Sequence, residues 1–352
     1  LISGEAGATG SSLHPMHHNT SNITTLKNGF KQRVFKVSES SFNALALDIF
    51  YYQAKYNPVY AKFLQLIDVR PESVLTIDQI PFLPVDFFKH QIVSCDNLDA
   101  NSFYFSSSST TGMGVSKHYL EDTTLYELAY KHSFEYAFGN PSAFTYRFLL
   151  PSYLERGGSS LVYMAEGLLK QSGKGGFYLY DYVSLAHDLE EDLAKGHKTI
   201  LLGVSYALLD FAEQYPMDLS EIVVMETGGM KGKRAEMSRK ALHAYLTKAL
   251  NCAFIASEYG MTELMSQAYS ISNGVYVNPP WMRIQIMEST DPFSPEQNGK
   301  TGQVNIMDLS AFNSCAFIAT SDLGRKYDNG HFEIVGRHDY SEARGCNLMF
   351  DN

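Results

Sequence analysis

The chain has 352 residues, 45% of them apolar, enough to build a substantial core in one large domain or two. Its 28 Lys and Arg stand against 38 Asp and Glu, and the resulting net charge of -10 argues against a dedicated nucleic-acid partner or an anionic membrane surface. Apolar runs such as Thr199–Val204 fall far short of the roughly 20 residues that span a bilayer, so no membrane span is expected. Cys95, Cys252, Cys315 and Cys346 are scattered, without the paired spacing of a zinc site or the density of a disulfide framework, which suits a reducing cytoplasm.

Residues 1–28 are rich in Gly, Ser, Thr, Asn and His and read as a polar tail. At 41–56 the apolar positions Phe42, Leu45, Ile49, Tyr52 and Tyr56 fall on one helical stripe that stops before Pro58. Residues 77–95 carry Pro81 and Pro84 among apolar neighbours, predicting an extended, irregular passage that braces the segment after it. That segment, 101–118, places a short aromatic strand at 103–105 before six hydroxyl residues, 106–111, followed by Gly112, Gly114 and Lys117. Hydroxyls, backbone amides free of bulky side chains and a nearby lysine suit phosphate oxygens, although a solvated Ser/Thr linker has the same composition. Helical spacing at 121–138 places this loop at a strand-to-helix junction.

Beyond it the pattern alternates. Residues 147–150 read as a strand, Gly157-Gly158 as a turn, and 160–169 fit either a helix or a strand. Then follow a helix at 184–195 ended by Gly196, a strand at 199–204, a helix at 207–214, a strand at 221–225, the Gly228-Gly229 loop, a helix at 234–250 and a strand at 253–256. This is a parallel α/β series, whose ligands bind beyond the carboxyl ends of the strands, so residues 227–231 and 257–263 are expected to face one crevice. From 275 onward short alternating segments at 282–287, 303–307, 315–320 and 332–335, with turns at Asn298-Gly299 and Asn329-Gly330, predict a smaller antiparallel β unit. The expected organisation is a tail at 1–28, an α/β core at 29–274 and a β subdomain at 275–352.

Four segments form an ordered set: Ser108-Ser109-Thr110-Thr111-Gly112 with Lys117, Tyr259-Gly260-Met261-Thr262-Glu263, Ala319-Thr320-Ser321-Asp322, and Gly336-Arg337 followed by Asp339. Together they resemble the hallmark loops of the adenylate-forming superfamily of acyl-CoA synthetases and AMP-acid ligases. The passage 82–88, Gly228-Gly229-Met230-Lys231 and Arg344-Gly345-Cys346 look most like its acyl-protein synthetase branch, the fatty-acid ligases of bacterial bioluminescence. The resemblance implies a large α/β domain with mostly parallel sheet layers flanked by helices, plus the small antiparallel unit. It implies ATP-dependent, AMP-forming activation of a carboxylic acid, fatty or aryl, to an acyl-adenylate. Transfer would follow to a cysteine, to CoA or to a carrier protein, with an acyl reductase or acyl carrier protein as partner.

Residue by residue, the same resemblance has Ser108, Ser109, Thr110, Thr111 and Gly112 hold the β and γ phosphates of ATP beside Lys117. Thr262 would meet the α-phosphate and Glu263 would hold Mg²⁺, a cation that prefers oxygen donors. Asp322 would bond the ribose hydroxyls with Arg337 at the same region, Gly228 and Gly229 would lie against adenine, Tyr259 and Gly260 would line the nucleotide site, and Cys346 would accept the acyl group. Ser109 stands where the superfamily has glycine, and two extra residues separate the loop from Lys117. The superfamily's mobile C-terminal domain, with its adenylation lysine, is expected to be absent from a sequence that stops at Asn352. The acyl-protein synthetase branch is likewise short, so the truncation favours that branch, and the departures leave open an alternative, a catalytically weak nucleotide- or acyl-adenylate-binding module within a complex.

Overall fold

The computed structural model describes residues 20–107, 114–151, 157–230, 232–235, 237–289 and 291–337. Helix α1, Thr20–Val34, begins inside the stretch expected as a tail. Its foothold is Lys27, which bonds Asp96 and lies 3.0 Å from Glu121, so a polar composition conceals an element fixed by ion pairs. Helix α2, Glu39–Tyr56, buries the predicted stripe of Phe42, Leu45, Ile49 and Tyr52. Each such side chain contributes about 1.5–3 kcal/mol of burial. Asn57 caps helix α3, Pro58–Leu66, by accepting from the backbone of Val59 and Tyr60.

The expected irregular passage yields two residues of strand, β1, Leu83–Pro84, and one helical turn, α4, Phe87–His90. Strand β1 pairs in parallel with residues Ile318 and Ala319, so the passage braces the Asp322 segment.

Strands β2, Tyr104–Ser106, and β3, Lys117–Tyr119, are antiparallel partners, with Ser106 opposite Lys117. The Ser/Thr stretch therefore connects two arms of a hairpin, not a strand to a helix, and the next helix, α5, Thr124–Phe138, starts after both arms. The sequence expectation failed here because β3 is three residues long and its pairing with β2 is a tertiary contact that no periodicity displays.

A six-stranded sheet follows, in the spatial order β5-β4-β6-β7-β8-β9. It comprises β4, Thr145–Leu149; β5, Gly175–Phe177; β6, Thr199–Val204; β7, Val223–Thr227; β8, Ile255–Tyr259; and β9, Ala268–Ser270. All neighbours are parallel except β8 and β9. The interleaved helices are α6, Ser160–Ser172; α7, Tyr182–Lys195; α8, Ser205–Gln214; and α9, Arg239–Ala249. The ambiguous stretch at 160–169 is thus helical, capped by Ser159 and ended by Gly173 in the left-handed region.

The last strands are β10, Val275–Tyr276; β11, Met282–Met287; β12, Gly302–Asp308; β13, Phe317–Lys326; and β14, Phe332–Arg337. They order as β10-β14-β13-β12-β11 in an antiparallel sheet that β1 joins from the N-terminal part of the chain. Helix α2 is tied to the same region, since the Gln53 amide donates to the carbonyls of Ala311 and Phe312 and Asn57 donates to that of Ser314. No helix among the described residues is long and apolar enough to cross a membrane.

Candidate functional site

Strands β7 and β8 are parallel neighbours with Thr227 opposite Glu258, so their carboxyl ends deliver Gly228 and Tyr259 side by side. The expected crevice between residues 227–231 and 257–263 has this framework, although 257–259 are still strand. Gly228 has φ +68°, a left-handed conformation that glycine adopts without strain, and its carbonyl accepts from the Ser205 hydroxyl at 3.0 Å. Gly229 is exposed, and a Cβ there would meet nothing within 4 Å, so close packing within the chain gives no reason for a glycine.

Tyr259 packs edge-on against Tyr276 and Phe332, which aims its hydroxyl at Asp322, 2.8 Å from Oδ2. Asp322 lies directly opposite Arg337 across β13 and β14, with Nε of Arg337 3.5 Å from Oδ1. Burial pushes the Asp322 carboxyl up, while Arg337, the Tyr259 hydroxyl and Arg239 work against that shift. The Arg337 side chain is 71% exposed, so the ion pair is weak, worth about 0–1 kcal/mol, and leaves the guanidinium available to a ligand.

Thr262 and Glu263 occupy the turn after β8. Its far side is fixed by Asp308, whose carboxylate accepts from the backbone amides of Met265 and Ser266 and from the Ser266 hydroxyl. Its near side is fixed by His118 of β3, whose Nδ1 lies 2.9 Å from the Thr262 carbonyl and whose Nε2 lies 2.8 Å from the Ser314 hydroxyl. Since a carbonyl only accepts, Nδ1 carries the proton and Nε2 accepts from Ser314. Burial lowers the His118 pKa to about 4, so the ring is neutral.

Glu263 is buried, and burial raises its pKa against opposition from the Ser116 hydroxyl, its own backbone amide and Arg337. No cationic side chain forms an ion pair with it among the described residues. A carboxylate beside a hydroxyl, without a bonded cation, is a donor set that fits Mg²⁺, which takes one or two carboxylates and completes its shell with water and phosphate. Lys117, at the base of the hairpin, places its ammonium 4.6 Å above the Tyr104 ring.

The fold therefore brings together Tyr259, Asp322 and Arg337, and binds the Thr262-Glu263 turn to the hairpin carrying Lys117. Ser108, Ser109, Thr110, Thr111, Gly112 and Cys346 lie outside the described residues. Sequence reasoning missed His118, Asp308 and a buried polar group under the crevice. In that group Glu226 on β7 meets Arg239 at 3.2 Å and His243 at 3.4 Å, and Arg239 also donates to the Ile334 carbonyl of β14 at 2.8 Å. Burial works to raise the Glu226 pKa, but His243, Arg239 and Ser257 leave it lowered. The signal for these residues is polar side chains inside strand patterns, which gains meaning only once their burial is seen.

No family model and no curated protein matches this chain. Among solved structures the fold is similar to ATP-bound MatB from Rhodopseudomonas palustris, with 15% identity and a TM-score of 0.51 over 68% of this chain and 49% of that one. It is also similar to 2-hydroxyisobutyryl-CoA ligase in complex with 2-HIB-AMP and CoA, with 11% identity and a TM-score of 0.61 over 88% of this chain and 71% of that one. The chain spans about half the length of MatB. What the chain shares with these structures is a mixed α/β fold.

Proposed function

We propose that this protein activates a carboxylic acid with ATP, releasing pyrophosphate and forming an acyl-adenylate. The observation that carries this reading is the Tyr259–Asp322–Arg337 arrangement. It joins the ends of two sheets and presents a partly buried acceptor beside an exposed cation. Asp322 would accept hydrogen bonds from the ribose hydroxyls, Arg337 would donate at the same region, and the exposed Gly228 and Gly229 would lie against adenine. The Ser/Thr loop and Lys117 would hold the β and γ phosphates, and Thr262 the α-phosphate.

In the reaction an oxygen of the acid bonds to the α-phosphorus while the bond to the bridging oxygen of pyrophosphate breaks. The protein's part is alignment and neutralisation of developing charge, since no covalent step on a side chain is required. Glu263, with Ser116 beside it, would hold Mg²⁺, which when bound supplies charge neutralisation at the phosphates. The layered domain of the superfamily and the acyl-protein synthetase branch belong to the same reading, with Cys346, CoA or a carrier protein as acceptor and an acyl reductase as partner. Exchange of labelled pyrophosphate into ATP, measured with and without a panel of acids, tests it. Acid-dependent exchange is expected. Its absence with every acid, while ATP still binds, would leave a nucleotide-binding module in its place.

A further inference from the structure

The buried Glu226 group links the parallel sheet to the strands that carry Asp322 and Arg337. One carboxylate oxygen of Glu226, Oε2, lies 3.3 Å from the Ser205 hydroxyl, which donates to the Gly228 carbonyl at 3.0 Å. The other, Oε1, receives Nε of Arg239 at 3.2 Å. Arg239 carries the group across to the antiparallel sheet. Its Nη1 donates to the Ile334 carbonyl of β14 at 2.8 Å, and its guanidinium carbon lies 5.4 Å from the centre of the Tyr276 ring. Tyr276 stacks on Phe332, and both rings pack against Tyr259, whose hydroxyl meets Asp322.

The strand ladder shows what Arg239 does there. Strand β10 pairs with β14 at Val275–Glu333 and Tyr276–Phe332. The next residues along are Gly274, which turns with φ +68°, and Ile334. A Cβ on Gly274 would lie 3.3 Å from Cδ of Arg239, so the guanidinium takes the Ile334 carbonyl where the pairing stops. Ile334 lies three residues before Arg337. A cation in the first turn of a helix opposes the helix dipole, and Arg239 is the first residue of α9, so helix stability does not account for it. One planar fork serves Glu226 and Ile334 together, which suits arginine and not lysine. Burial pushes the Asp322 carboxyl up, and Arg337, the Tyr259 hydroxyl and Arg239 oppose it.

We infer that Arg239 is a positioning residue for ribose recognition: by tying Glu226 of the parallel sheet to Ile334 of β14, it holds Asp322 and Arg337 in the register in which they meet the ribose hydroxyls. Arg239 has this role only where Asp322 receives the ribose, as proposed above. The test is calorimetric titration of the whole protein with ATP and with 2′,3′-dideoxy-ATP, which lacks both ribose hydroxyls. Wild type should bind ATP about ten-fold or more tighter than the dideoxy nucleotide. Arg239→Lys keeps a cation for Glu226 without the fork, and Arg239→Gln combined with Glu226→Gln removes both charges so that no buried carboxylate is left unpaired. In each, the preference for ATP should fall to about three-fold or less, with the dideoxy-ATP Kd within about two-fold of wild type. Equal weakening of both nucleotides would show a merely structural role. That result, or an undiminished preference, overturns the positioning role and leaves the nucleotide site standing. A wild type that does not prefer ATP removes the ribose assignment and the role of Arg239 with it, while pyrophosphate exchange tests adenylation separately. Arg239→Lys decides the matter even if the double variant does not fold.

Discussion

The Nδ1 atom of His118 lies 2.9 Å from the carbonyl oxygen of Thr262, so the hairpin that bears the Ser/Thr loop is bonded to the turn that bears Glu263. The ring is fully enclosed, with Phe88 packed edge-on at 5.4 Å, and it must stay neutral to accept from Ser314 on its other side. In the unfolded chain it takes up a proton near pH 6.5, and in the folded chain burial lowers that point to about 4. Between those values only the unfolded state gains the proton, so stability is lost as pH falls. The expected contribution is a loss of about 2 kcal/mol between pH 7 and pH 5. Urea denaturation at both pH values should show His118→Gln less stable than wild type at pH 7 but lacking this part of the pH dependence. An equal slope in both proteins would mean that His118 is not the titrating group.

Asp322→Ala should weaken ATP binding by about 1.5–3 kcal/mol, the range for hydrogen bonds to a charged group. Tyr259→Phe separates positioning from contact, because it removes the hydroxyl that fixes Oδ2 and leaves the carboxylate in place. Its effect should be smaller, about 0.5–1.5 kcal/mol. Calorimetric titration with ATP measures both, and an unchanged dissociation constant in Asp322→Ala would remove that residue from the nucleotide site.

Where one segment suffices to define an element, the sequence displayed it. Thr199–Val204 is a run of apolar residues buried on both sides, and its predicted bounds match the strand. Of the four strands from Met282 onward, three lie within two residues of their expected bounds, whereas Phe317–Lys326 runs six residues past the expected end at 320. What the sequence concealed depends on distant partners. The arms of the β2–β3 hairpin are three residues each and are fixed by His118 meeting Thr262 and Ser314. Glu258 reads as an ordinary carboxylate beside a motif, and only Gly260 and Thr227 show that it lies buried. Asp322 and Arg337 were legible as motif members, but their facing positions follow from the register of β13 and β14.

Glu263→Gln should abolish Mg²⁺-dependent pyrophosphate exchange and leave the fold intact, since the change removes a charge at nearly constant volume. Burial already disfavours the ionised form of Glu263, so its neutral replacement should preserve or slightly raise thermal stability in the absence of metal. Mg²⁺ with ATP should raise the melting temperature of wild type and not of the variant. Wild-type exchange in Glu263→Gln would refute the metal assignment.

The acyl acceptor can be tested by elimination among the thiols. A thiolate is the nucleophile towards a mixed anhydride, and burial suppresses it in the three cysteines among the described residues. Burial pushes Cys95 well above the ordinary thiol range, Cys252 to about 11 and Cys315 to about 12. The proposed acceptor is Cys346, as the resemblance to the acyl-protein synthetase branch implies, with Arg344 two residues away in the sequence as a positive charge that would favour the thiolate. Incubation with ATP, Mg²⁺ and a labelled competent acid should give a hydroxylamine-sensitive adduct on the protein. Cys346→Ser should lose at least nine-tenths of that adduct, about 1.4 kcal/mol or more in transfer, while pyrophosphate exchange continues at the wild-type rate. Adduct persisting in Cys346→Ser would assign the transfer to another residue. Robust exchange with no adduct in wild type would point instead to CoA or a carrier protein.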